Sequence, residues 1–544
     1  MKALISIVLL SLLSIPLCSV PMAEKDSWNK QGLSEDYHGH MDERSESLNP
    51  QIKLLGINDL HGQLNVTRQV NGQPAGRADY LAAYLRQRAA ESENTILLHT
   101  GDMIGASPPL SALLKDEPTI HFLNLMGFDI GTVGNHELDE GAAELIRLLY
   151  GVKPTATGGF TGSQFPWIAA NVISNHTGKP LLPPFKILKR SGMPIGFIGV
   201  VMKETPNLVA PSGVKGLTFT DEAEAINKYA GMLKKKGVRA IVVLAHIPGK
   251  SKAGGEQPTG LLIDLAKNVD DEVDILFGGH NHAYLNSMAD GKLLIQSYSY
   301  GTAFSDVDIE IDRNTKDIVS KQAEIVTVYQ ENIQPATDIT RMIEKYEKKV
   351  ESIVNREVGI AANQIKAERN QSGESALGNL IAGSQRAALN TDFAFINPGG
   401  IRADIDAGNV TWGNLYTVLP FNNQLVKMNL TGRQIRDVLN QQWQPNATRI
   451  LQISDLAYTW DDSRPRGKKV MDITAADGKK LDPAQSYSIA VNTYLAEGGD
   501  NFTVFRNGTN RETGPMDIEA LVDHIQKLKQ PFSSKIDGRI QRIN

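Results

Sequence analysis

The chain has almost no cysteine. Its 544 residues include a single one, Cys18, which lies at the end of an apolar N-terminal segment. One cysteine cannot form an internal disulfide, and once that segment is removed the chain has no thiolate to offer a metal. Any metal site must therefore be built from aspartate, histidine and asparagine side chains.

The chain also lacks long hydrophobic runs and a strong charge of either sign. Its formal net charge of -5 gives no electrostatic reason to expect a nucleic acid duplex as a partner. The apolar run at residues 3–17 is short for a membrane span, and no later segment approaches twenty apolar residues. The mature chain is therefore not expected to insert stably into a membrane.

The N-terminus has the features of a secretory signal peptide at residues 1–23. Lys2 supplies the positive charge before the apolar run, and small residues around Ser19 and Ala23 offer cleavage sites. A retained N-terminal anchor is the alternative, and Leu17 matches a lipoprotein cleavage site poorly. We expect a periplasmic or secreted protein, either monomeric or dimeric.

The length of the chain predicts two large domains, since one core rarely grows to this size. A polar, mobile leader is expected at residues 24–49, a catalytic domain at 50–337, a charged linking helix at 338–358 and a second domain at 359–544. In the first domain, β-branched runs alternate with helical patterns, which indicates stacked α/β layers. Strands are predicted at residues 52–58, 96–100, 130–133, 167–170, 195–201, 240–245, 275–277, 293–296 and 305–311, and helices at 77–92, 222–236 and 260–268.

Metal-ligand residue types follow five of these predicted strands. They are Asp59 and His61, Asp102, Asn135 with His136, His246, and His280 with His282. In layered α/β folds, ligand sites form at such strand ends. By contrast, His99, His121 and His176 fit no ligand spacing, and we interpret them as structural.

These residue types suit a pair of divalent ions. Asp102 can bridge two cations, Asn135 and His246 can complete one shell, and Asp59, His61 and the turn His280–His282 the other. Oxygen and imidazole ligands without thiolate suit zinc, manganese, cobalt or iron. Two such ions can together stabilise in-line displacement at phosphorus. Beside them, His136 can donate a proton to a reacting phosphate, and Asp139 can orient its ring.

The set of motifs resembles the calcineurin-like metallophosphoesterase pattern. It comprises Asp59-x-His61, Gly101-Asp102, Gly134-Asn-His-Glu137, His246 and Gly279-His-x-His282. The second half, with Asn397-x-Gly-Gly-Ile-Arg402, Leu419-Pro-Phe421 and Gly498-Gly-Asp500, resembles the C-terminal domain of the secreted bacterial 5'-nucleotidase/UDP-sugar hydrolase family. That family implies a four-layer α/β/β/α catalytic domain, a linking helix and a second α/β domain that binds substrate and rotates.

The resemblance also implies the site. The metal ligands would be Asp59, His61, Asp102, Asn135, His246, His280 and His282, and His136 with Asp139 would be the catalytic dyad. In the second domain, Arg402 would hold phosphate or another charged group, and Phe421 and Tyr494 would stack on a base. Asp500 would accept hydrogen bonds from the ribose hydroxyls, and Asn397 would contact the base edge. The alternative for the aromatic residues is an ordinary role in the core.

The resemblance implies hydrolysis of nucleoside 5'-phosphates such as AMP, for nucleotide scavenging outside the cytoplasm. Within the family, the alternatives are a 2',3'-cyclic-nucleotide phosphodiesterase, a UDP-sugar or NAD pyrophosphohydrolase, and a thiosulfate-ester hydrolase. A nucleotide-binding surface protein with a vestigial site is the alternative from another class. The chain departs from the family in having Gly373 where an arginine usually precedes Glu374, and Tyr494 where phenylalanine is commoner. Arg369 is close enough in sequence to replace the missing charge.

Overall fold

The computed structural model describes residues 49–155, 158–445 and 447–544. Residues 49–544 pack as one unit. The expected signal peptide and nearly all of the leader, including Cys18, lie outside the described residues. In the described part, no helix is both long enough and apolar enough to cross a bilayer.

Two six-stranded sheets form the first half of the chain. The strands of the first sheet, in spatial order, are Ile318–Thr327, Ala303–Ile311, Gln51–Ile57, Thr95–His99, Ile130–Thr132 and Trp167–Ile168. Those of the second are Phe185–Arg190, Met193–Val201, Ala240–His246, Val273–Phe277, Lys292–Ser297 and Tyr284–Ala289. Four adjacent strands in each sheet run parallel, so their carboxyl ends share one edge.

The two sheets pack face to face across an apolar core. Leu54, Leu98 and Ile130 of the first sheet pack in one cluster with Phe197 and Val242 of the second. Helices cover the outer face of each sheet: Ala78–Ala89, Glu117–Met126 and Ala142–Tyr150 on the first, and Glu222–Lys235 and Leu261–Ala266 on the second. The expected four-layer α/β/β/α arrangement is confirmed.

The nine strands predicted for this half are all present, with ends that differ by up to two residues. The three predicted helices are present too, although each is shorter than predicted. Two helices, Glu117–Met126 and Ala142–Tyr150, were not predicted. The smaller elements are Thr67–Val70 paired with Gln73–Gly76, Val152–Thr155 with Gly158–Phe160, the strands Val172–Ser174, Lys179–Pro180 and Leu217–Phe219, and the helix Pro109–Ala112.

The charged helix between the two halves spans Thr337–Val354. It is four residues shorter at its C-terminal end than the predicted linker, because the chain enters the strand Glu357–Ala361 directly afterwards. Nor is it solvated on all sides. Ile339, Met342 and Ile343 are buried in the core of the first half, so the helix is anchored to the catalytic domain.

The second half is also built from α/β layers. Its central sheet has the spatial order Gln452–Ser454, Phe393–Ile396, Ser486–Asn492, Gln424–Thr431 and Thr509–Met516. Helices Ala376–Leu389, Trp412–Val418 and Asp517–Lys527 pack on one core, together with the strand pair Glu357–Ala361 and Gly408–Thr411. The other core holds helix Gly432–Asn440 and a small sheet of Val470–Ala475, Leu456–Trp460 and Ile540–Arg542. The short helix Thr493–Ala496 follows the central strand.

Candidate active site

The carboxyl ends of five parallel strands converge on one cluster of ionisable side chains. The structure brings together three groups whose possible ligand atoms lie within 4.8 Å of one another. They are Asp59, His61 and His282; Asp102, His246 and His280; and His61, Asp102 and His136. Asn135, the remaining predicted ligand, contacts His280 of the second group. All seven residues predicted as metal ligands therefore lie in this region.

The first group centres on two imidazole nitrogens that face each other. Nε2 of His61 lies 3.2 Å from Nε2 of His282, and the latter lies 3.5 Å from a carboxylate oxygen of Asp59. Nδ1 of His61 is 2.8 Å from the carbonyl oxygen of Gly105. If Nδ1 donates its hydrogen there, Nε2 is left with a lone pair directed into the group.

The second group has the same character. Nδ1 of His246 lies 2.8 Å from the carbonyl oxygen of Thr100, while its buried Nε2 faces the carboxylate of Asp102. That Nε2 lies 3.1 Å from Asp102 Oδ2. Nδ1 of His280 lies 2.9 Å from Oδ1 of Asn135. An imidazole nitrogen and an amide oxygen are thus aimed at a common point.

Asp102 lies between the two groups, since its Oδ2 is 3.8 Å from His61 Nε2 on one side and 3.1 Å from His246 Nε2 on the other. The turn His280–His282 is shared between the groups. We had expected both histidines to serve the metal of Asp59, but His280 lies beside Asn135 and His246. The turn therefore directs the side chains of His280 and His282, which are two positions apart, into different groups.

This donor set fits two divalent ions. Each group offers a carboxylate and at least two nitrogen or oxygen donors, and the buried Nε2 of His246 lies against the carboxylate of Asp102, two atom types that bind divalent metals. The backbone carbonyls that hold His61 and His246 are the outer hydrogen bonds that ligating histidines usually make.

Burial makes the charges of the site strongly interdependent. It raises the pKa of Asp59 to about 7 and lowers the pKa of His280 to about 3. Burial would also raise the pKa of Asp102, but the neighbouring His246 and His136 hold it well below the usual value. Against burial, Asp102 raises the pKa of His246 to about 10. A divalent cation held by either group would likewise favour the charged form of the Asp102 carboxylate.

The turns that carry these residues are strained. Asp59, His61, Asp102, His280 and His282 all have positive φ angles, between 48° and 83°, although none is glycine. Such conformations cost free energy and concentrate at functional sites. Gly134 is required for a different reason: a Cβ there would overlap the Asp102 carboxylate, so only glycine lets the two turns approach.

Glu137 ties two of these turns together and was not predicted to do so. Its buried carboxylate accepts hydrogen bonds from the backbone N–H groups of Gly134 at 2.5 Å, Asp102 at 2.8 Å and Met103 at 2.8 Å. It lies within the motif Gly134-Asn-His-Glu137, but we had assigned it no role. A carboxylate next to two ligand-type residues was the available signal.

His136 and Asp139 form a pair, as predicted. Nδ1 of His136 lies 2.7 Å from Oδ2 of Asp139, across one turn of the short 3₁₀ helix His136–Leu138. Burial works against the charged form of His136, but Asp139 and Asp102 outweigh it and raise the pKa of the imidazole. His136 is therefore held as a hydrogen-bond donor next to the metal-ligand groups.

A cavity of about 780 Å³ joins this region to the second domain. On the catalytic side it is lined by Asn135, His136, Asp139 and His280, and on the other side by Asn397, Arg402, Phe421, Tyr494 and Asp500. All five residues predicted to contact substrate thus line one cavity. Phe421 and Tyr494 are partly exposed, and both line this cavity.

Asp500 is held by a network of hydrogen bonds. The Tyr494 hydroxyl donates to Oδ1 of Asp500 at 3.1 Å and accepts from its backbone N–H at 2.9 Å. Asn397 approaches Oδ2 at 3.4 Å. The Tyr494 hydroxyl also lies 3.4 Å from the carbonyl oxygen of Leu208 in the catalytic domain. The hydroxyl that distinguishes tyrosine from phenylalanine therefore reaches across the domain boundary.

Tyr300 connects the metal-ligand groups to the second domain. Its ring lies 4.9 Å from that of His282, and its hydroxyl is 3.4 Å from Nη2 of Arg402. The guanidinium of Arg68 covers the other side of the ring at 4.5 Å. Sequence reasoning missed Tyr300 because only metal-ligand residue types were sought after each strand. It follows the strand Lys292–Ser297, whose carboxyl end lies on the same edge.

Comparison with known proteins agrees with this geometry. Residues 52–284 match the calcineurin-like phosphoesterase family, and residues 354–507 match the 5'-nucleotidase C-terminal domain. Cell wall protein Lmo0130 of Listeria monocytogenes is 36% identical over 92% of this chain and 70% of the relative. The chain belongs to the 5'-nucleotidase family. It is thereby an enzyme of the metal-dependent phosphoesterase class.

Two further members of the family extend the comparison. Endonuclease YhcR of Bacillus subtilis is 43% identical over 90% of this chain, but the chain spans only 41% of that relative. The crystal structure of a 5'-nucleotidase precursor from Thermus thermophilus superposes with a TM-score of 0.79 at 27% identity, covering 91% of this chain and 99% of that one. The two-domain architecture is thus that of the family.

Against the family pattern, Gly373 removes one positive charge, and the structure excludes the substitute that we had considered. Arg369 is exposed and does not line the cavity. A different arginine, Arg449, does line the cavity, 3.0 Å from Oδ1 of Asp500.

Proposed function

We propose that the chain hydrolyses nucleoside 5'-phosphates such as AMP to nucleoside and phosphate. The observation that carries the proposal is the single cavity that has His136, Asn135 and His280 on one wall and Phe421, Tyr494 and Asp500 on the other. A nucleoside 5'-phosphate could place its phosphate against the first wall and its nucleoside against the second.

In the proposed site, the catalytic domain binds two divalent ions, each zinc, manganese or cobalt. Asp59, His61 and His282 would hold one ion, Asn135, His246 and His280 would hold the other, and Asp102 would contribute its carboxylate to both. When bound, such a pair neutralises phosphate charge and makes hydroxide available near neutral pH. The charge of Asp102 is already directed at both groups, which supports the bridging role.

His136 acts on the phosphoryl group in this proposal. Asp139 accepts its Nδ1 hydrogen, so Nε2 is the atom that can meet a phosphate oxygen. Held in this way by Asp139, the ring can donate a hydrogen bond from Nε2 to a phosphate oxygen and stabilise charge that develops in the transition state.

The second domain holds the nucleoside. Phe421 and Tyr494 stack on the base, Asp500 accepts the ribose hydroxyls, and Asn397 contacts the base edge. Stacking of this kind contributes about 1–3 kcal/mol per base and tolerates any base. Arg402 lies close enough to influence the pKa of His61, His136 and His282, which supports a contact with the phosphate. The nucleotide is thus the small-molecule partner.

The proposed setting is outside the cytoplasm, where nucleotide hydrolysis would supply nucleoside and phosphate. The signal-peptide features of residues 1–23 and the relative described as a cell wall protein support it. The domain limits of 50–337, 338–358 and 359–544 belong to the same proposal.

The test is phosphate release from AMP by metal-stripped protein, with and without added Mn²⁺, Zn²⁺ or Co²⁺. We expect release only when metal is restored. Hydrolysis of bis-p-nitrophenyl phosphate without hydrolysis of AMP would contradict the assignment while preserving the metal site. Nucleotide binding without hydrolysis of either ester would instead favour the binding-protein alternative.

A diester substrate is the second candidate function. It is favoured by the 43% identity to a relative named an endonuclease and by the departure at Gly373, which alters how charge is arranged around the phosphate. Parallel turnover of AMP, 2',3'-cyclic AMP, UDP-glucose and NAD by the same metal-loaded protein distinguishes the alternatives. The 5'-phosphate proposal requires that kcat/KM be highest for AMP.

A further inference from the structure

Arg449 enters the cavity from a loop of the second domain that carries none of the predicted site residues. The loop turns back on itself, with backbone hydrogen bonds from Gln444 N–H to Ala447 and from Arg449 N–H to Gln442. It places the Arg449 guanidinium 3.0 Å from Oδ1 of Asp500, with Nη1 donating to Gln444 Oε1 at 3.0 Å. The side chain is 24% exposed, and it lines the cavity.

Gly373 packs against Ile450, the residue that follows Arg449. This glycine has a φ of +98°, and a Cβ there would lie 2.7 Å from Cγ2 of Ile450. A side chain at 373 would therefore meet Ile450, and the backbone angle is unfavourable for any residue but glycine. Arg449 directly precedes Ile450. A positive charge therefore enters the cavity from the residue next to Ile450, which would clash with a side chain at position 373.

The protein contacts of the Arg449 guanidinium do not occupy all of its hydrogen-bond donors. Among the described residues, Nη2 of Arg449 makes no hydrogen bond, so this nitrogen retains donors for a ligand. Arg449 and His280 line the same cavity. An anion held between His280 and Asp500 would lie within the field of both Arg449 and Arg402.

We propose that Arg449 is a substrate-binding residue that donates to a phosphate oxygen of the nucleotide, opposite Arg402. The inference rests on the proposed hydrolysis of nucleoside phosphates and names a residue that discriminates among them. Two guanidiniums on one phosphate favour substrates with a dianionic terminal phosphate over diesters with a single charge.

The experiment compares Arg449→Gln, Arg449→Lys and the control Arg466→Gln, each as metal-loaded full-length protein. Arg466 is an exposed arginine that donates to the carbonyl of Pro445 in the same loop but does not line the cavity, so its substitution removes an equal charge and a loop contact. Binding of inorganic phosphate and of adenosine is measured separately by calorimetry, and turnover of AMP and of bis-p-nitrophenyl phosphate is measured alongside.

For Arg449→Gln we expect phosphate affinity to fall about tenfold or more and adenosine affinity to change less than about twofold, as fits the loss of a charge-assisted hydrogen bond. The KM for AMP should rise about tenfold, with less change for bis-p-nitrophenyl phosphate. Arg449→Lys should recover part of the phosphate affinity, because it keeps the charge beside Asp500 without the planar fork.

Two results would overturn the inference: phosphate affinity as unchanged as in Arg466→Gln, or a loss of adenosine affinity equal to or larger than that of phosphate. The second result would mean that Arg449 acts on the ribose through Asp500. If the wild-type protein does not hydrolyse AMP but Arg449→Gln still weakens phosphate binding, the proposed function fails while the role of Arg449 stands.

Discussion

The ring of His136 stacks on the ring of Phe421, with centroids 5.8 Å apart and planes inclined by 25°. One residue belongs to the catalytic domain and the other to the second domain. Both rings line the cavity, and the guanidinium of Arg402 lies 5.9 Å from the centre of the Phe421 ring. In this arrangement the proposed catalytic residue and the proposed base-binding residue are adjacent, so their contributions must be separated by substitution.

His136→Ala should lower kcat for AMP by about 10²–10⁴-fold while leaving metal content unchanged. The reason is that His136 is placed to act on the phosphoryl group through Nε2, with Asp139 on its other nitrogen. Metal content by elemental analysis and kcat are measured on the same preparation. Equal loss of both would make His136 a metal ligand, as its proximity to His61 and Asp102 permits.

Phe421→Ala should raise the KM for AMP by about 5- to 150-fold, which corresponds to about 1–3 kcal/mol of lost stacking. A phenyl phosphate ester, which has no base, should be hydrolysed with a KM within about threefold of the wild-type value. Phe421→Tyr keeps the aromatic face and serves as the control for the contact with His136. If both esters suffer equally, Phe421 supports His136 rather than the base.

The sequence was sufficient to predict the strands of the catalytic domain and the residues at their carboxyl ends, because buried parallel strands leave continuous β-branched runs followed by polar turns. It did not predict the helix Ala142–Tyr150, which starts directly after the functional turn and has no capping side chain. Nor did it predict the division of the turn His280–His282 between two groups.

The residues that were missed share a physical reason. The fold places Tyr300 and Arg449 at the site from distant parts of the chain. Tyr300 lies against His282 and Arg402, and Arg449 reaches Asp500 from a separate loop. Neither has a residue type or a local spacing that announces a site. Arg449 lies near Gly373 because Gly373 contacts Ile450, a residue 77 positions away in the sequence. No local sequence pattern predicts such a contact.

Asp102→Asn should remove most metal binding and reduce activity to the limit of detection. An amide offers a neutral oxygen where the site needs a carboxylate directed at both groups, since Oδ2 lies near both His61 and His246. The measurements are metal content and AMP turnover across added Mn²⁺ from micromolar to millimolar concentrations. Turnover and metal content near wild-type values would refute the two-metal assignment.

Glu137→Gln tests whether the carboxylate that joins two ligand-bearing turns is needed for metal binding. The carboxylate accepts from four backbone N–H groups, and an amide would direct its own NH₂ at one of them, leaving a buried donor unpaired. We expect a fall of about 1–3 kcal/mol in the free energy of unfolding. Metal affinity should fall about 10–100-fold, as for other groups that support ligands without touching the ion.

Glu117→Gln is the matched control for this change. Glu117 pairs with Arg147 at 2.7 Å on the surface of the catalytic domain, away from the turns, so its substitution should alter stability slightly and metal affinity not at all. Denaturant unfolding of metal-free protein and metal titration of the folded protein are measured separately for each variant. A Glu137→Gln protein that is less stable but binds metal as tightly as the control would show that Glu137 supports the fold alone. In that case the turns would hold Asp102 and Asn135 in position without the Glu137 carboxylate.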